Sequence, residues 1–224
     1  MLEFNLWRFH ATFGLNNSMK LEVLYQDCAL FVVNKPAGLL SVPGRGADKF
    51  DSVATRAQQM TGDALVVHRL DCHTSGVMLL ARGKAAQVEL SRQFHDRETG
   101  KDYIAVVEGV VQDEEGVIDL PMRCDIDNRP RQIIDFEHGK QAVTRWKKLS
   151  VQNHTTRLLL QPVTGRSHQL RVHCQSMGHA IVGDTLYGSR QAAAQPRMLL
   201  HARSLRFTHP QTRQPMCIEA VCGF

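Results

Sequence analysis

No apolar stretch in these 224 residues approaches the ~20 needed to cross a bilayer as a helix. Cys-x-x-Cys pairs are also missing, which excludes a zinc ribbon and a thioredoxin-type redox motif. The absence of a glycine-rich phosphate loop and of a Gly-x-Ser-x-Gly elbow removes the common nucleotide-phosphate and α/β-hydrolase signatures. Residues 1–18 lack the basic start, apolar core and small-residue cleavage site of a secretory signal, so a cytoplasmic location is the default expectation. The six cysteines, at 28, 72, 124, 174, 217 and 222, are scattered. Free thiols are expected of them in that compartment.

Repeats, low-complexity tracts and Pro/Gly-rich linkers are absent as well, which favours one domain over residues 19–224. The first eighteen residues form an extension. Either Met19 is the true start or the extension is an ordered arm that packs its aromatics on the domain. No heptad or wide apolar stripe calls for a dimer, so a monomer is expected.

What is present is a basic balance, with a formal charge of +5 and a pI near 9.0, which leans toward a polyanionic partner. The strand-like segment Leu21–Tyr25 and the continuous apolar run Ala29–Val33 read as strands, the second buried. Asp51 or Ser52 caps a short helix reaching Met60. Ala86, Leu90 and Phe94 recur at the four-residue spacing of an amphipathic helix. Lys101–Val107 is strand-like, and Asp113 to Gly116 reads as a hairpin turn into Val117–Leu120. Further strands are expected at Ala142–Trp146, Arg157–Val163, Met198–Thr208 and Met216–Ala220. Ser167 is placed to cap a helix carrying Leu170, Cys174 and Met177, and Gly178 to end it. Many strands with few helices predict an α+β fold: a mixed, largely antiparallel sheet flanked by helices and loops.

The most informative run is His68-Arg69-Leu70-Asp71-Cys72-His73-Thr74-Ser75-Gly76, set between Val66-Val67 and the apolar Val77–Ala81. It places one carboxylate, Asp71, in a tight polar connection between strands. A turn aspartate of this kind commonly satisfies a local backbone donor. The other role open to it is as a nucleophile or as a stabiliser of charge on a sugar. An aspartate is already ionised at pH 7, so a partner arginine would serve to orient it and to offset desolvation.

Thr164-Gly165-Arg166-Ser167-His168-Gln169-Leu170-Arg171-Val172-His173 offers such partners. Five helical residues turn through about 500°, so Arg166 and Arg171 would point about 140° apart and do different jobs. Tyr103, in Lys101-Asp102-Tyr103, is by itself an ordinary strand residue. The spacings His68-x-x-x-x-His73 and His168-x-x-x-x-His173 do not favour one helix face, so no metal site is expected.

Taken in order, these segments resemble the RluA-type pseudouridine synthases. The resemblance is carried by His68-Arg69-Leu70-Asp71 with Thr74-Ser75-Gly76, by Lys101-x-Tyr103, and by Gly165-Arg166-Ser167-His168-Gln169-Leu170-Arg171-Val172-His173. It continues in Val33-Asn34-Lys35-Pro36-Ala37-Gly38-Leu39, Asn128-Arg129-Pro130, Gly139-Lys140, Gly183-Asp184-x-x-Tyr187-Gly188 and Leu199-Leu200-His201-Ala202. It spans about Glu22 to Phe224 and lies nearest the RluA branch, which lacks a small N-terminal RNA-binding domain. Eighteen residues are too few to form that domain.

The resemblance implies the pseudouridine synthase fold and an isomerase that needs no cofactor and acts on uridine in loops of ribosomal or transfer RNA. Asp71 is then the essential carboxylate, as nucleophile or as sugar stabiliser. Tyr103 packs on the uracil and accepts the proton lost from carbon 5. Arg171 pairs with Asp71, and Leu170 walls the uracil pocket. Arg69 fills the space left by the extruded nucleotide. Arg166, His68, Lys35 and Lys140 are further candidates for substrate contact. The competing readings are a catalytically silent RNA-binding or ribosome-assembly protein of the same fold, and a hydrolase using Asp71 with His68 or His73.

Overall fold

The computed structural model describes residues 20–46, 49–190 and 194–224. The proposed extension over residues 1–18 and the alternative start at Met19 lie outside the described residues.

The chain opens with a hairpin of β1 (Glu22–Gln26) and β2 (Leu30–Lys35). Asp27 closes it by accepting the Ala29 and Leu30 amides at 2.7 and 2.8 Å. Helix α1 (Val53–Thr61) starts at Ser52 with a reciprocal capping box to Thr55 and stops at left-handed Gly62, as such caps require. Strands β3 (Ala64–Val66) and β4 (Ser75–Arg82) flank the polar run around Asp71. Helix α2 (Lys84–His95) follows, burying Ala86 and Leu90.

The second half carries β5 (Gly100–Glu108), β6 (Glu115–Asp119), the small pair β7 (Met122–Cys124) and β8 (Gln132–Ile134), then β9 (Val143–Gln152) and β10 (Thr155–Pro162). Asn153 and His154 both take positive φ in the tight β9–β10 turn, the geometry that two-residue hairpins need. Helix α3 (Gln169–Ser176), β11 (Leu200–Thr208) and β12 (Pro215–Glu219) complete the order.

The main sheet runs β1-β2-β4-β11-β5-β10-β9-β6, with β3 on β4 and β12 on β11. Its pairs are antiparallel except β4 with β11, so the expected mixed, largely antiparallel α+β architecture is found. β2 and β4 are buried on both faces, which explains their unbroken apolar runs. Phe31, Val33, Met78 and Leu80 face α1, and Leu30, Val32, Leu79 and Ala81 face α2. Across the sheet, Ala105, Val107, Leu158 and Leu160 pack on Leu170 and Cys174 of α3.

The parallel pairing of β4 and β11 is a seam between two half-sheets. Gly76 makes it possible: at φ +112°, a β-carbon there would sit 2.2 Å from the Ala202 carbonyl oxygen. Tyr103, on β5 across β11 from β4, packs against the cores on both sides of the seam. The polar loop between β3 and β4 opens at the same place.

Two local expectations are corrected. Asp113 to Gly116 is not a hairpin turn, because β6 does not pair with β5. It lies beyond β10 and β9, at the sheet edge. Local polarity marks a turn but not which strand the chain returns to. Ser167 does not cap α3 either. His168 takes the cap position at φ 55° without a side-chain cap bond, and the Gln169 side chain instead accepts from the Arg166 amide at 3.0 Å.

Candidate active site

The loop bearing Asp71 is fixed from below by buried polar groups. Ser41 accepts the Leu70 amide at 3.0 Å and donates to the Leu70 carbonyl at 2.6 Å. Lys35 has no exposed surface, and its ammonium donates to the carbonyls of Cys72, Leu39 and Pro36 at 2.7, 2.6 and 2.9 Å. Burial pulls its pKa down to about 8, against the pull of Cys72 and Asp71. The Thr74 amide donates back to the Asp71 carbonyl at 3.1 Å, and the Gly38 amide donates to Cys72. The peptide units on both sides of the Asp71 side chain are therefore held, and the half-buried carboxylate is presented on a braced turn.

That carboxylate faces a hollow of about 100 Å³ lined by Tyr103, Leu170, Arg171 and Thr74, with Arg69, Lys101 and Arg166 around it. Arg171, on the first turn of α3, is buried and bonds Asp184 through two contacts of 2.7 Å. Its remaining terminal nitrogen stands 4.0 Å from the Asp71 carboxylate. Asp184 is itself set by the Leu186 and Tyr187 amides at 2.9 and 3.1 Å. Burial works against Asp184's charge, but Arg171 and these amides outweigh it and lower its pKa. The Arg171 guanidinium also lies 4.9 Å from the Tyr187 ring centre, within cation–π range. The Tyr187 hydroxyl accepts the Gln132 amide and bonds His168 Nδ1, each at 2.8 Å.

The Tyr103 hydroxyl has no hydrogen-bond partner among the described residues. Burial and the Asp71 charge both raise its pKa, so in the free protein it is a neutral phenol facing the hollow.

Two further hollows adjoin the central one. A hollow of about 470 Å³ shares Arg69, Asp71, His168 and Arg171 with it, and one of about 610 Å³ shares Arg69, Lys101, Tyr103 and Arg166. Arg69 lines all three, exposed and without a hydrogen bond or ion pair to any described residue. Among the described residues, Asp71 is the single carboxylate lining any of them.

Most candidates from the sequence therefore meet here: Asp71, Tyr103, Arg171, Leu170, Arg69 and Arg166 share one hollow. The other three are placed differently. Lys35 is sealed inside the fold with three carbonyl partners, out of reach of an RNA backbone. His68 stacks on Phe94 with centroids 4.5 Å apart and accepts the Leu79 amide at Nε2, so it braces β4, although it also edges the largest hollow. Lys140 is exposed, pairs with Met122 through its backbone and lines none of the three hollows.

No role for Asp184, Tyr187 or His168 was read from the sequence. The available signal was Asp184 followed at two and three residues by free amides, an Asx-type pattern. Its partner Arg171 lies thirteen residues upstream. No cluster of three or more metal-ligating side chains occurs among the described residues.

A family model described as RNA pseudouridylate synthase matches residues 29–176. The chain belongs to that family. Its RluA-type character is supported by dual-specificity RNA pseudouridine synthase RluA of Escherichia coli (strain K12), 50% identical over 206 residues, 91% of this chain and 94% of that one. The Yersinia pestis protein of the same name is 52% identical over 204 residues, covering 90% of this chain and 99% of its own length. Among solved structures, Human RNA Pseudouridylate Synthase Domain Containing 1 superposes with a TM-score of 0.76 at 28% identity, over 93% of this chain and 86% of that one. Human RNA Pseudouridylate Synthase Domain Containing 4 gives 0.72 at 26% identity, over 90% and 88%. The enzyme class is thus isomerase, acting on uridine in RNA. No described helix is long and apolar enough to cross a membrane.

Proposed function

We propose that this pseudouridine synthase isomerises uridines in loops of both ribosomal and transfer RNA, as a single-domain monomer, with Asp71 as its essential carboxylate. One observation carries the assignment of Asp71: it lines two of three joined hollows and, among the described residues, no other carboxylate lines any of them, while Arg69, Lys101, Arg166 and Arg171 do. A surface built only to bind RNA phosphate would gain nothing from an anion at its centre.

The reaction breaks the bond from uracil N1 to ribose C1′ and forms one from C5 to C1′. A proton leaves C5 and N1 gains one, so atoms and charge balance without a cofactor. Asp71 meets the electron-poor sugar, either by bonding to it or by pairing with its charge. Locked to Asp184 and 4.0 Å from Asp71, Arg171 helps orient the carboxylate and keeps a positive charge in the hollow. Leu170 and Tyr103 wall the uracil. Because the Asp71 charge helps raise the Tyr103 pKa, that contribution falls away once the carboxylate is engaged by the sugar. Tyr103 then gives up its own proton more readily, to the detached uracil anion, and its oxygen can take the one lost from C5.

The target uridine must leave its stack, at a cost of a few kcal/mol. Arg69, unpartnered at the meeting point of the hollows, offsets this by stacking and phosphate contact. The dual target rests on the names of the RluA relatives. Mapping pseudouridine in ribosomal and transfer RNA from cells with and without the protein tests it. Loss of sites in both RNAs is expected; loss in one alone would reduce the proposal to that RNA.

A further inference from the structure

The largest of the three hollows, about 610 Å³, lies beside the uracil site and is not needed to hold a uridine. Its rim is cationic: Arg97, Lys101, Arg166 and Arg69 contribute side chains, and among the described residues no carboxylate lines it. The acids closest in sequence are occupied elsewhere. Asp96 is held by Arg92 at 3.0 Å and His95 at 2.9 Å, Glu98 by Arg92, and Asp102 by Arg206, Gln161 and Ser204.

Neither the Arg97 nor the Lys101 side chain makes a hydrogen bond or ion pair with a described residue. They repel each other, and burial together with Arg97 lowers the Lys101 pKa. Two like charges converging on one hollow without a counter-ion call for an anion. Arg97 further occupies a left-handed backbone position, φ 61°, in the turn after α2, where glycine or asparagine fits more easily. Across the hollow, a β-carbon at Gly165 would lie 4.0 Å from the Lys101 ammonium, so this wall leaves that ammonium uncovered. Arg166 is steadied by donating from Nε to the Gln141 carbonyl at 3.1 Å, which leaves its two terminal nitrogens for another acceptor.

We propose that the hollow between Arg97, Lys101 and Arg166 is a phosphodiester subsite that grips the RNA backbone next to the isomerised uridine. It rests on the reading of Asp71's hollow as the uridine site, because the two share Lys101, Tyr103 and Arg166. A grip so close to the extruded nucleotide holds the strand while the base turns, so its contribution belongs to kcat/KM for RNA rather than to folding.

The test pairs protein and RNA changes. Stem-loop RNAs carrying a neutral methylphosphonate in place of the phosphate on the 5′ or the 3′ side of the target uridine are assayed with wild type and Arg97→Gln. At one of the two positions the modification should lower wild-type kcat/KM about ten-fold, the scale of a lost charge-assisted hydrogen bond. Arg97→Gln should cause a similar loss on normal RNA, and the two changes together should be no worse than either alone. Lys101→Met supplies a second such cycle. Thermal unfolding should be unchanged for Arg97→Gln, since the residue is exposed. Losses that multiply, or no loss at either position, would overturn the subsite while wild-type turnover of unmodified RNA leaves the assigned reaction standing. Failure of wild type to form pseudouridine at all would remove that reading, and the subsite with it.

Discussion

Arg171 gives its two short hydrogen bonds, 2.7 Å each, to Asp184 and stands 4.0 Å from Asp71. The arginine beside the proposed reacting carboxylate is thus anchored by a second, fully buried aspartate. Asp71 can leave its vicinity or bond elsewhere without stranding a buried charge.

Asp184→Asn separates these roles. It removes the counter-ion of a buried guanidinium, a class of change that destabilises by about 3 kcal/mol or more. Denaturant unfolding should show that loss, with pseudouridine formation reduced even where the variant is still folded. A stability change below about 1 kcal/mol would mean that Asp184 is not the anchor.

Tyr103→Phe keeps the ring and removes a hydroxyl that bonds no described residue. Stability should stay within about 0.5 kcal/mol of wild type, while single-turnover product formation slows. An unchanged rate would make Tyr103 a packing residue alone.

His68 predicts an acid limit on stability. Burial, then Lys101, pushes its pKa down to about 3, and Nε2 accepts the Leu79 amide at 2.9 Å. Below pH 6.5 the unfolded chain takes up a proton that the folded one refuses, so stability falls as pH drops. The slope from this residue is at most about 1.4 kcal/mol per pH unit, the ring's partial exposure making that an upper figure. Unfolding of wild type and His68→Gln between pH 7 and 5 should converge as pH falls. Parallel curves would contradict the assignment of His68 as a neutral brace.

These residues show what sequence can and cannot convey. Periodicity located β2, β4 and α2 because each depends on its own apolar pattern, and the α1 cap was narrowed to Asp51 or Ser52, of which Ser52 takes it. The Asp71 loop, Tyr103 and Arg171 were legible together because several separated motifs stand in a fixed order. The destination of a long side chain was not. Lys35 and Lys140 look alike in sequence, yet one is walled in by three carbonyls and the other faces solvent. The short β7 and β8 carry no clear alternation, and the placement of β6 at the sheet edge is set by pairing with β9, 24 to 32 residues downstream. Asp184 matters through a residue thirteen positions away, a relation only the folded chain displays.

The central claim is that Asp71 performs the chemistry and does not serve to hold RNA. Tritium release from RNA labelled at carbon 5 of uridine, measured with Asp71→Asn beside wild type, addresses it most directly. The account predicts no release by the variant, with RNA affinity within a few-fold of wild type. Continued release at a comparable rate would contradict it.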